Sequence, residues 1–167
     1  AADGINPNSA VLPHQVDYGL LTAGVRLAGG LISGQLTAID LPSGRTYPHF
    51  IGINARLGGL SEQSRVQRID ALYDAFEQAQ VWRKTKRVSN RPEQLASRDL
   101  MVLSRLLQGE GRLFVEAHRQ SDIEQALKLG KRFGIRIVIV GGQEAWRVAD
   151  KIVAADAAVV MNPVSNA

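Results

Sequence analysis

Apolar and polar positions alternate most regularly between Arg112 and Pro163, where strand-like and helix-like stretches take turns with little chain left over. Residues 112–118, 135–142 and 157–163 carry strand patterns, and 122–133 and 143–153 carry helical spacing. The run 135–141 is continuously apolar apart from Arg136, as in a strand covered on both faces. Ser121 with Glu124 three residues later matches a capping box, after which Ile123, Ala126 and Leu127 face inward and Gly130 or Gly134 allows the exit. Such alternation through short links predicts an α/β fold of parallel βα units with right-handed crossovers. Periodicity alone does not separate an open doubly wound sheet from part of a barrel.

Upstream, Val66, Ile69, Leu72, Tyr73, Phe76 and Ala79 recur at helical spacing and predict a helix from about Ser64 to Trp82. A second helix is expected from Pro92, with Leu95, Val102, Leu103, Leu106 and Leu107 on its buried side and Gly109 as its stop. Residues 1–18 read as loop, followed by a short helix from Val16 to Ala23 and a strand over 25–28. Residues 31–35 read as a tight turn and 36–41 as a strand. The glycine-rich stretch 42–63 is expected to be an irregular, poorly ordered or interrupted loop.

A chain of 167 residues suffices for one ordinary domain, and 45% hydrophobic with 22% charged residues describes a soluble globular protein. No apolar run approaches the ~20 residues needed to cross a bilayer, so no membrane partner is expected. The absence of cysteine excludes disulfides, thiolate metal sites and a cysteine nucleophile. The net charge of +4 has one local concentration, Trp82 to Arg87 with Arg91 close behind. Without an aromatic-rich strand platform or a recognition helix, that cluster reads as the solvated end of a helix, and no nucleic-acid partner is expected.

Candidate chemistry gathers at strand ends, where parallel sheets place their sites. Alternation puts Glu116 and His118 on one face of strand 112–118, where they could bind a divalent metal or share a proton. The structural alternative is an ion pair of Glu116 with Arg119 or another arginine, beside a hydrogen-bonded histidine. Gly141 and Gly142, followed by Gln143 and Glu144, let backbone approach a ligand at a helix start, although no full Gly-x-Gly-x-x-Gly pattern is present. Glu144 is equally explained as a carboxylate complementing its own helix dipole. An open sheet with a phosphate at Gly141-Gly142 is therefore a competing reading.

Several stretches together resemble the imidazolonepropionase-like branch of the amidohydrolase superfamily. They are Gly4-Ile5-Asn6-Pro7, Leu31 to Gln35, Ala117-His118-Arg119 with Asp122-Ile123, Gly142 to Ala145, and Val159 to Asn166. The resemblance implies a metal-dependent hydrolase (β/α)8 barrel that binds zinc or another divalent metal and cleaves carbon–nitrogen bonds in amide-like small molecules. A family His-Ala-His-Arg motif aligns with 116–119, so Glu116 stands where the first metal-binding histidine is usual and His118 keeps the second. A family Glu-His-Gly motif aligns with Val140, Gly141 and Gly142, so Gly141 replaces another ligand. The only histidines are His14, His49 and His118, and none forms a His-x-His pair.

The resemblance thus implies an incomplete barrel with His118 as metal ligand and Glu116 as the replacement for another, while Arg119, Gly141, Gly142 and Asn162, by their place at the strand ends, are the substrate-binding candidates. The alternative is a non-catalytic binding or scaffolding relative that keeps the fold without the metal. Further expectations are self-association, or pairing with a homologous subunit, through sheet edges beside 112–118 or 157–163, and an exported location.

Overall fold

A computed structural model describes residues 4–27, 29–58, 64–86 and 95–161. Its elements are α1 (Val11–Asp17), β1 (Thr22–Val25), β2 (Ile32–Asp40), β3 (Arg45–Thr46), β4 (Gly52–Arg56), α2 (Arg65–Thr85) and α3 (Ser97–Leu106). These are followed by β5 (Arg112–Ala117), α4 (Gln120–Phe133), β6 (Ile137–Gly141), a 3-10 turn (Ala145–Val148), α5 (Ala149–Ala154) and β7 (Ala158–Val160). The sheet runs β1-β2-β4-β5-β6-β7, with β3 pairing to β2. From β4 to β7 all neighbours are parallel, whereas β2 runs antiparallel to both β1 and β4. The fold is therefore α/β, with parallel βα units in a sheet curled as half of a barrel.

One face of this sheet is the core. Ile53 and Ala55 of β4, Leu113, Val115 and Ala117 of β5, and Ile137 and Ile139 of β6 pack beneath Leu72 and Phe76 of α2, Leu103 of α3, and Ile123 and Leu129 of α4. The alternate positions of β5, including Phe114 and Glu116, face the other way and are only partly covered. Gly130 lets α4 come down on β6, because a Cβ there would lie 2.5 Å from Cγ1 of Ile137.

The stretch expected to be an irregular loop holds β4, an interior strand of the sheet. Gly52 and Asn54 obscured it in the sequence. Gly52 is required by packing rather than by a turn: a Cβ there would lie 1.9 Å from the carbonyl oxygen of Arg112 on the neighbouring strand. Residues 31–35 are likewise not an isolated turn. Ile32 to Gln35 open β2 through an irregularity between Ile32 and Gly34, where Gly34 has φ +108°. The helix expected at 16–23 lies earlier, at Val11–Asp17, and the strand expected at 25–28 is β1, at Thr22–Val25.

Helix starts also differ from expectation. α2 has the full capping box, Ser64 with Gln67. At α4 the helix begins one residue before Ser121, and no side chain of its N-cap residue Arg119 caps it. The Gln120 amide instead donates to Oε2 of Glu144 at 2.7 Å, so Glu144 serves this helix and not its own. On α2, Val66 is 66% exposed, and Arg68 takes the buried position assigned to it. Strand β5 is interior, so of the two edges expected to be open only β7 lies at an end of the sheet. The start expected at Pro92 and residue Asn162 lie outside the described residues.

Candidate functional site at the strand ends

Register aligns Arg56, Glu116, Val140 and Val160 as one tier across the ends of the four parallel strands. Below it, Ala55, Val115 and Ile139 point into the core. Because β2 runs antiparallel to β4, its first residues arrive at this same end, and the Arg56 amide donates to the Leu31 carbonyl at 2.9 Å. Arg26, just beyond β1, reaches the tier from the same side.

Two arginines bracket the Glu116 carboxylate. Nη1 of Arg26 donates to Oε2 at 2.9 Å, and Nε of Arg56 lies 3.1 Å from Oε1. The Arg56 contact is close enough for charge attraction but off-line for a hydrogen bond. Burial raises the Glu116 pKa, but the Arg26 hydrogen bond and the charges of Arg56, Arg26 and His118 outweigh it, leaving the carboxyl below its ordinary value. Of the pairing expected from sequence, with Arg119 or another arginine, the structure shows the second form: Arg119 is exposed, and Arg26 and Arg56 are the partners.

Behind the tier, Arg68 is 4% exposed, and its Nη2 donates to the carbonyls of Arg56 and Gly58 at 2.8 and 2.7 Å. Its pKa is lowered, first by burial and then by the neighbouring Arg56 charge. Asp122, 3% exposed, lies 3.6 Å from Nε of Arg65.

His118 stands against two glycines. A Cβ at Gly141 would come within 2.3 Å of its Cε1, and one at Gly58 within 3.4 Å of its Cδ2. Its Nδ1 is buried and has no hydrogen-bond partner among the described residues. The Gly142 amide donates to the Ala117 carbonyl, and the Glu144 amide to the His118 carbonyl, both at 2.9 Å. Those amides brace the turns and are not presented to a phosphate.

The structure thus brings Glu116, His118, Gly141 and Gly142 together and leaves Arg119 at the surface. Sequence reasoning missed Arg26, Arg56 and Arg68. Of these only Arg56 had a signal, the alternation Ile53-Asn54-Ala55-Arg56 that marks a strand. The zinc or other divalent metal implied by the resemblance does not fit these residues. Both Glu116 oxygens face guanidinium groups, Gly141 offers no side chain, and the described residues contain no group of three His, Asp or Glu able to hold an ion.

No protein-family model matches the chain, and no curated protein matches its sequence. Among solved structures, the fold is similar to part of one barrel-like α/β structure. The crystal structure of an amidohydrolase from Thermotoga maritima MSB8 matches with a TM-score of 0.81 at 18% identity, over 97% of this chain and 47% of that one. The chain therefore spans about half the length of that structure.

Proposed function

We propose that this chain is a relative of the imidazolonepropionase-like amidohydrolases whose β5 and β6 ends bind a small amide-like molecule without holding a metal. The observation that carries this reading is the Glu116 carboxylate bracketed by Arg26 and Arg56. A divalent cation placed there would have to displace two guanidinium groups from their counter-charge. Hydrolysis of a carbon–nitrogen bond would then need groups that these strand ends do not supply. Metal analysis of the purified intact protein tests this. The expected result is no stoichiometric metal and no thermal stabilisation by added zinc; one equivalent of zinc, lost in His118→Ala, would overturn it.

One observation favours a second reading, a metal-dependent hydrolase acting on carbon–nitrogen bonds. The buried Nδ1 of His118 lacks a partner, and an imidazole nitrogen in that state is a competent ligand or proton acceptor. The same measurement decides between the two.

A further inference from the structure

A cleft between α4 and α5 lies where the chain enters β6, at the opposite end of the sheet from the candidate site. Its volume of about 770 Å³ is in the range of sites that take one small molecule. Unequal helix lengths open it. α4 runs for 14 residues, whereas α5 runs for 6 and stops at Ala154. Asp156, at φ +49°, then turns the chain towards β7. On the α5 side the apolar wall is only Ala154 and Ala155, which are too small to close on Leu127, Gly130 and Ile135 opposite.

The rim of the cleft is basic. Lys128 and Lys131, three residues apart on α4, are neighbours on the helix surface, and Arg136 follows at the turn into β6. Neither lysine forms an ion pair among the described residues, and Nη2 of Arg136 donates to a carbonyl, that of Gly109, at 2.6 Å. Two carboxylates share the cleft. Glu124 is taken by Lys151 at 2.8 Å and by Gln120 at 3.2 Å, which ties α4 to α5. Asp156 has no ion-pair partner among the described residues, so three cations face this one carboxylate. Exposed charges alone define no ligand, because water holds them at little cost. Their placement along an apolar floor does, because it asks for a molecule that is oily along its length and negative at one end.

We propose that the α4–α5 cleft binds an anionic amphiphile with a single apolar chain. The chain lies against Leu127, Ile135 and Ala155, and the head group meets Lys128 and Lys131. Burial of the chain supplies the affinity, and the lysines supply the preference for an anionic over a neutral head. The same rim repels a cationic head.

Titration of the intact protein with decanoate, decyl phosphate, 1-decanol and acetate, read by calorimetry and amide NMR shifts, tests the assignment. Decanoate and decyl phosphate are both expected to bind, with shifts centred on Leu127, Ala154 and Ala155, and the tighter of the two identifies the head group. 1-Decanol should bind about tenfold more weakly than decanoate, and acetate not measurably. Replacing both exposed lysines, Lys128→Gln with Lys131→Gln, should bring decanoate down to the level of 1-decanol. Ala154→Leu, at an exposed position, should fill the cleft and abolish binding of every chain-bearing probe, whereas the small Ala154→Ser should retain it. Equal binding of decanoate and 1-decanol by wild type would overturn the anionic assignment. Shifts centred on Glu116 and Val140, or decanoate affinity unchanged in Ala154→Leu, would overturn the location. No binding of any probe would overturn the site itself.

Discussion

The imidazole of His118 occupies the space into which any side chain at position 141 would project. Its Cε1 lies 2.3 Å from where a Cβ on Gly141 would stand, and Gly141 has φ +93°. The glycine and the histidine are therefore one packing unit, and neither position can be altered as though the other were absent.

Gly141→His is accordingly expected to destabilise the protein by about 1–3 kcal/mol and not to create a zinc site. His118→Ala in the same chain should recover part of that loss, leaving the strain of the positive φ. A double-mutant cycle by urea unfolding, with metal analysis of each variant, checks both statements. Additive losses would show that the two positions are not coupled.

The Glu116 carboxyl is held below its ordinary value of 4.5 in the folded chain. A depressed carboxyl pKa stabilises the fold fully above the unfolded-chain value, and that contribution is lost as pH falls through the lower folded value. Wild type should therefore lose stability on acidification below about pH 5 more steeply than Glu116→Gln. Urea midpoints across an acid pH series would reveal the difference, and parallel curves would contradict it.

Gly52→Ala should be among the most damaging single-methyl additions available. The added carbon meets backbone on β5 rather than a movable side-chain end, so β4 and β5 must separate. A loss of about 3 kcal/mol or more is expected, read as a lower unfolding midpoint.

Arg68→Met removes the donors to the Arg56 and Gly58 carbonyls while preserving much of the buried stem. The expected cost is about 3 kcal/mol, with amide exchange accelerated at Leu57 and Gly58, whose N–H groups bond to the Glu116 carbonyl. Unchanged exchange there would show that Arg68 does not hold the end of β4.

The unit from β5 to β6 was legible because its determinants are local: continuous apolar runs, an amphipathic helix between them, and Gly134 at φ +67° ending that helix. Strand β4 was hidden because Gly52 and Asn54 are there for the backbone of β5 and for the Leu27 carbonyl, to which Asn54 donates at 3.0 Å. Neither is visible in the order of residues. At the site, the pairing of Glu116 with an arginine was foreseeable in kind but not in partner, since Arg26 lies 90 positions away in the chain. The register that joins Arg56 to Glu116 exists only once β4 is recognised as a strand.

The tier formed by Arg56, Glu116, Val140 and Val160 is also a slope of polarity, descending from a guanidinium to a half-exposed valine over three strand spacings of roughly 4.8 Å each. Water is held firmly at one end and loosely at the other. An elongated molecule with one polar and one oily end, lying across these strands, is turned the same way round by solvation alone, before any group recognises its shape.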